Sequence, residues 1–421
     1  MHDNQDTGGL RQLPFMGVIY VVAEAEKLGF YNGHPDWCNL GQGQPEVGEV
    51  QGAPPRLQAV TLRPEDHAYG PIHGTVELRQ RVAEHYNRLY RRGRRSHYTA
   101  DNVAIAAGGR LALTRGIFSL GPVNVGYQLP DYTAYEDMLG AQMSRLTPIP
   151  LRTDEKAGFT LSAARFEQAA RDFGLQAMLL SNPCNPTGRV IQGEQLSQWV
   201  GIARHQQCTL LLDEFYSHYI YDGAGNPGQR PVSAAEFVED VDKDPVLLFD
   251  GLTKNFRYPG WRLGWVVGPK AMIKCMITAG SSVDGGPSRM VQRAAHEVLA
   301  PDAADQETSA LRQCFARKRN ATVSALKELG VRLPWEPEGT FYAWGALDRL
   351  PEALADGQKF FRAALQHQVM TVPGEFFDVN PGKHRQGASP LRQWMRFSFG
   401  PPHDIVTRGL QRLNAMVKDH A

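Results

Sequence analysis

The sequence predicts an α/β protein: a large domain with a mainly parallel mixed sheet covered by helices, plus a smaller α+β domain. Three observations carry that expectation. Short runs that are apolar throughout, rather than alternating, recur along the chain and end abruptly at polar or glycine residues, as expected of strands covered on both faces. Stretches of helical period lie between them. Beyond about residue 300 the pattern changes to a long charged helical stretch followed by separate strand-like segments, which suggests segregated α and β elements. The expected division is an N-terminal segment over 1–49 that joins the small domain, a large domain over 50–300 and a small C-terminal domain over 301–421.

Taken in order, residues 75–90 (TVELRQRVAEHYNRLY) have helical period. The first strand run covers 103–107 and breaks at Gly108-Gly109-Arg110, before a helical stretch over 111–115. The next runs cover 177–180 into Ser-Asn-Pro, 209–212 into Asp-Glu and 246–249 into Asp-Gly, with a helical stretch over 195–205. A long charged helix is predicted over 305–329, ending at Gly330, and strand-like segments follow over 339–344 and 396–399.

Composition removes several function classes. The chain has 421 residues, with 45 Lys+Arg against 44 Asp+Glu for a net charge of +1. Such a balance argues against a nucleic-acid or membrane-surface partner recognised through a general basic field. The one basic cluster, residues 88–95, ends the first predicted helix, where cations complement the helix dipole, and reads as a solvated end. Five widely spaced cysteines with no C-x-x-C pair read as buried thiols of a reducing cytoplasm. The first fourteen residues lack the apolar core of a secretory signal, and no window is apolar enough to span a membrane. A literal G-x-G-x-x-G at Gly223, Gly225 and Gly228 is interrupted by Pro227 and opens no helix, so it reads as a loop. The thirteen histidines show no ligand spacing, and no metal is expected.

Polar signals stand just after the apolar runs, where open α/β sheets bind their ligands. Gly109 and Arg110 open a helix whose free N–H groups suit a phosphate. Asn185 follows in NPCNPTG (182–188), then Asp213 and Tyr216 in DEFY, then Lys254, with Arg262 eight residues on. Together they supply what pyridoxal phosphate needs: an amine for a Schiff base, a carboxylate for the pyridine nitrogen, and cationic and N–H groups for the phosphate.

The segments NPCNPTG, DEFYSHYIYDG and LTKNFRYPGWRLGW resemble the signature of the class I/II aminotransferases, the fold-type I family of pyridoxal-phosphate enzymes. Flanking segments agree in order: NLGQGQPE (39–46), YGPIHG (69–74), PDYTAYE (130–136), GTFY (339–342), VPG (372–374) and RFSFG (396–400). The resemblance implies an aspartate-aminotransferase-like fold and a homodimer with shared active sites. It implies that Lys254 forms the internal aldimine and shuttles a proton, that Asp213 pairs with the pyridine nitrogen, and that Asn185 and Tyr216 contact the phenolic oxygen. Tyr132 would stack on the ring, although the neighbouring Tyr135 competes for that reading. Arg262 and the N–H groups of Gly109 and Arg110 would hold the phosphate, with Tyr69 reaching over from the partner subunit. Arg396, with Asn185 and the backbone near Gly43, would clamp the substrate α-carboxylate.

The implied reaction is ping-pong transfer of an amino group from an L-amino acid to a 2-oxo acid. A lyase or an amino-acid oxidase on the same scaffold is the alternative. A regulator built on this fold is less expected, because the stretch before Leu40 is short for a winged helix and linker. Three positions depart from the pattern. Arg110 stands where a small or hydroxyl residue is more usual, Gly251 replaces a phosphate-binding serine for which Thr253 or Arg110 could compensate, and Asp284-Gly-Gly-Pro287 is unusual. No arginine is placed for a second carboxylate, and the pocket near Met16, Val18 and Tyr20 is not readable from sequence.

Overall fold

A computed structural model describes residues 17–221 and 230–420. The loop with Gly223, Gly225 and Gly228 lies outside the described residues, as does Met16. The chain opens with helix α1 (Gly17–Glu26) and the short strand β1 (Cys38–Asn39). Helix α2 (Val76–Tyr90) follows, its first turn closed by the Thr75 hydroxyl, which accepts from the Leu78 N–H. The main sheet then takes β2 (Val103–Ala106), β3 (Asn124–Leu129), β4 (Thr147–Arg152), β5 (Ala177–Ser181), β6 (Thr209–Asp213), β7 (Val246–Gly251) and β8 (Gly264–Val267). Between these run α3 (Gly109–Ser119), α4 (Ala134–Gly140), α5 (Ala163–Asp172) and α6 (Gly193–Gln206).

The seven strands lie in the order β2-β8-β7-β6-β5-β3-β4. Only β8 runs antiparallel to its neighbours, so the sheet is mixed but mainly parallel. All four predicted strand runs are strands. The sequence reading did not resolve β3, β4 and β8. Strand β4 carries Pro148 and Pro150, which weaken its strand signal and are tolerated because it is an edge strand.

Alternation along the strands divides the core. Ala104, Ala106, Leu211 and Phe249 pack on one face, and Val103, Ile105, Leu210 and Leu248 on the other. Beyond the sheet come α7 (Lys270–Val283), α8 (Arg289–Val298) and α9 (Pro301–Glu328), the last being the predicted charged helix, started four residues early by Pro301 at its first turn. A second sheet follows from β9 (Tyr342–Ala346), helix α10 (Gly357–Gln366), β10 (Val369–Met370), β11 (Val372–Pro373) and β12 (Trp394–Ser398), and helix α11 (His403–Asp419) closes the chain. Strands β11, β12 and β9 form an antiparallel sheet, and β1 pairs in parallel with β10, so the N-terminal segment joins C-terminal elements. The cluster on the first face of the main sheet continues without a break into Tyr342, Trp344 and Phe397 of this second sheet.

Two sequence expectations need correction. Arg91 of the basic cluster is fully buried, donating to the carbonyls of Ser96, Ala235 and Val238, so it pins the end of α2 instead of being solvated. Cys275 is exposed and Cys314 half-buried, while Cys38, Cys184 and Cys208 are buried as expected. Among the described residues no helix is long and apolar enough to cross a membrane.

Candidate active site

The carboxyl ends of β2, β3, β5, β6 and β7 open into one cavity of about 470 Å³, roofed by Val18 and Ile19 of α1 and by Tyr342 and Arg396 of the second sheet. Every predicted site residue lines it except Tyr69, which is fully exposed and reaches no part of its own chain's cavity.

At the floor, Asp213 ends β6. Its Oδ2 accepts from the Tyr135 hydroxyl at 2.9 Å and its Oδ1 from the Phe215 N–H at 3.3 Å. Burial raises its pKa to about 6, against the pull of those donors and of Lys254. Lys254 stands three residues past β7, and its Nζ donates to the Gly43 carbonyl. Burial and the nearby guanidiniums of Arg396, Arg262 and Arg110 lower its pKa to about 7, with Asp213 opposing. An amine with that value is substantially neutral at neutral pH, hence nucleophilic and able to take up a proton.

On the wall, Arg396 of β12 donates from Nη1 to Asn185 Oδ1 at 2.7 Å and from Nη2 to the Gly41 carbonyl, while its Nε is buried without a partner. Its guanidinium lies 4.1 Å from the Tyr342 ring centre. The hydroxyls of Tyr216 and Tyr342 share a hydrogen bond at 2.6 Å, and burial pushes Tyr216 well above its ordinary pKa. Tyr132 is half-buried, and its hydroxyl accepts from Arg110 Nη2 at 3.2 Å. The stacking candidate is thus separated from its rival: Tyr135 is wholly buried against Asp213, and Tyr132 faces the cavity. Reasoning from sequence missed the roles of Tyr135, Tyr342 and Phe215; the spacing Tyr132-x-x-Tyr135 at the start of α4 was the one signal for the first of them.

At the other end, α3 presents its N-terminus. Arg262 lies against Gly108, where an added Cβ would come within 2.7 Å of Nη2, and its backbone is held in the left-handed region at φ 50°. A Cβ on Gly109 would meet Phe215 at 2.1 Å, so the backbone approaches the cavity as only glycine allows. Gly251 is equally confined: a Cβ there would sit 2.5 Å from the Leu263 carbonyl and 2.6 Å from Gly264 Cα. That explains the missing serine. Thr253 lines the cavity instead, with its hydroxyl oxygen buried and without a partner.

Comparison with known proteins matches the sequence model of the family "Aminotransferase class I and II" to residues 35–413. The chain belongs to the class I and II aminotransferases. The aminotransferase is 26% identical over 390 residues to an aspartate aminotransferase of Sulfolobus acidocaldarius, covering 90% of this chain and 89% of that one. It is 28% identical over 337 residues to an arginine–pyruvate transaminase of Pseudomonas aeruginosa, covering 78% and 80%. Its fold matches that of the aspartate aminotransferase from Thermus thermophilus with maleate at a TM-score of 0.78 and 23% identity, covering 97% of this chain and 100% of that one. Aminotransferases of this type use pyridoxal phosphate, and the cavity fits that group. The unpartnered Thr253 hydroxyl and the N-terminus of α3 suit a phosphate, the buried Asp213 suits a protonated ring nitrogen, and the unpartnered Arg396 Nε suits a carboxylate.

Proposed function

We propose that this aminotransferase moves the amino group of an L-amino acid to a 2-oxo acid in two half-reactions at this cavity. The observation that carries the reading is the meeting of half-buried Lys254 and buried Asp213 at the floor of one cavity that Arg396 also lines, with pKa values driven towards each other to about 7 and about 6. When bound, pyridoxal 5′-phosphate supplies the carbon that receives the amino group and an electron sink for the donor's α-carbon. Lys254 would hold the cofactor through its Nζ, and the same amine, poised near neutral pH, would take the proton from the donor's α-carbon and return it. Asp213, fixed by Tyr135, keeps a proton on the ring nitrogen. Asn185 and Tyr216 would donate to the phenolic oxygen, and Tyr132 would cover the ring.

Arg262, Thr253 and the N–H groups of Gly109 and Arg110 would hold the phosphate. Arg396 would keep its bond to Asn185 Oδ1 and turn Nε, which has no partner, and Nη2, released from the Gly41 carbonyl, to the substrate α-carboxylate as a bidentate pair, close to Gly43. The enzyme acts as a homodimer in the cytoplasm, and the full exposure of Tyr69 supports its delivery to a partner's phosphate. The pairing of β1 with β10 supports the division into 1–49 and 301–421 as one small domain against 50–300 as the large one.

Purified protein should show a visible absorption band that shifts on borohydride reduction and is absent in Lys254→Ala. A band that survives in that variant overturns the assignment of Lys254. Product formation should depend on both an amino donor and an oxo-acid acceptor; ammonia or peroxide released without an acceptor would establish elimination or oxidation in its place.

A further inference from the structure

One buried ionisable group beside the cavity has no part in the proposed chemistry. Asp131, just past β3, is fully buried, yet its carboxylate accepts every donor around it. The Tyr132 N–H donates to Oδ1 at 2.7 Å, the Ser181 hydroxyl also donates to Oδ1, and the Ser181 N–H donates to Oδ2 at 3.1 Å. Burial raises the Asp131 pKa, and the three donors to its two oxygens oppose that rise by favouring the ionised, accepting form.

Each of those bonds leads to a site residue. The Tyr132 N–H belongs to the residue that faces the cavity as the ring-covering candidate. Ser181 ends β5 in register with Asp213 on β6. Its hydroxyl accepts from the Asn185 N–H at 3.0 Å, and Asn185 Oδ1 in turn accepts from Arg396 at 2.7 Å. A hydroxyl carries one proton, so with Asn185 donating to it, Ser181 must give its own to Asp131. The direction of the chain is therefore fixed by an acceptor at 131. From the other side, the Asp131 N–H donates to the Phe377 carbonyl at 3.2 Å, and the Phe377 ring lies 5.0 Å from the Arg396 guanidinium. Two of the contacts that hold Arg396, those with Asn185 and Phe377, thus trace to the same residue.

We infer that Asp131 is a positioning residue that sets, from one buried carboxylate, both the ring-covering Tyr132 and the Asn185–Arg396 pair that receives the substrate carboxylate. This rests on the function proposed above, because it assumes the cofactor ring lies against Tyr132. Its role is to aim groups, not to exchange protons with substrate. An amide at 131 keeps the shape but turns two donors towards the Ser181 N–H or hydroxyl, breaking the chain at its origin.

The experiment compares the holoenzyme with Asp131→Asn, Ser181→Ala and Ser181→Thr. It reads the visible circular dichroism of the bound cofactor, cofactor affinity, and KM against kcat for an amino donor. Asp131→Asn should at least halve the dichroism, because Tyr132 loses its register. It should also raise KM about tenfold, the loss of roughly one charge-assisted hydrogen bond. Ser181→Ala should raise KM similarly and leave the dichroism near wild type, since it cuts only the branch to Asn185. Ser181→Thr, which keeps the hydroxyl, should restore KM to within about twofold.

Wild-type dichroism and KM in Asp131→Asn would overturn the inference while the Lys254-dependent band upholds the underlying function. Absence of that band in the wild type would fail the function itself. Should Asp131→Asn not fold, the serine pair still decides: a KM unchanged in Ser181→Ala, or equally raised in Ser181→Thr, overturns the inference.

Discussion

At the scale of single residues, the site is a set of groups held away from their ordinary ionisation. Lys254 is the clearest case, because burial comes first among the causes and three guanidiniums reinforce it. Its folded pKa of about 7 lies below the ordinary value of about 10.4, so between those two values the unfolded chain carries a proton that the folded chain does not. Stability of the cofactor-free protein therefore rises with pH across that window and is lowest below pH 7. Lys254→Met removes the burden. It should melt higher than wild type at pH 7, by up to about 4 kcal/mol, with the advantage fading towards pH 10. Thermal melts of the two cofactor-free proteins across pH check this; a difference that is absent or flat with pH would contradict it. Lys254 itself was legible in the sequence, being the lysine of a motif. Its depressed pKa was not, since Arg396 approaches it from a strand more than a hundred residues away.

At the scale of elements, the end of the cavity at the N-terminus of α3 is built by close backbone approach. Strand β8 passes so near the end of β7 that Gly251 has no room for a side chain, and Phe215 packs against Gly109 from beneath. Placing at 251 the serine that the family resemblance leads one to expect should therefore harm this protein. Gly251→Ser is expected to lose about 1–3 kcal/mol of stability by overpacking, with no gain in cofactor affinity, as measured by thermal melting and cofactor titration. A stable variant with tighter cofactor binding would show that β8 yields easily. The glycine was readable as a departure from pattern, but its cause lies in two strands that meet only in the folded sheet. Strand β4 makes the converse point: its prolines obscure the strand in sequence, and its place at the sheet edge makes them harmless.

At the scale of the whole molecule, buried ion pairs tie distant segments around the site. Asp284, unusual in sequence, pairs with Arg115 of α3, their side chains 7% and 1% exposed, and Arg115 Nε reaches Oδ2 at 3.0 Å. Arg115 Nη1 also donates to the Ile105 carbonyl at 3.0 Å, and the Gly286 N–H donates to Asp284 Oδ1 at 2.9 Å. The pair thus locks α3, β2 and the 284–287 turn into one unit. Asp284→Ala leaves a guanidinium buried without its counter-ion. It should cost about 3–5 kcal/mol, read as a large drop in denaturant midpoint. A loss below about 1 kcal/mol would mean that water reaches Arg115 once the aspartate is gone.

The sequence by itself determined the alternation of strand and helix, the family and most of the residues at the site, because apolar runs and motif residues are local properties of the chain. It also placed Lys254, Asp213, Asn185 and Arg396 in one functional set before any contact was known. Only the tertiary structure decided which tyrosine faces the cavity and which supports Asp213, why no side chain fits at Gly251, and what Asp284 and Asp131 hold. Each of those depends on groups brought together across strands or sheets, where burial and neighbouring charge, rather than residue type, set what a side chain does.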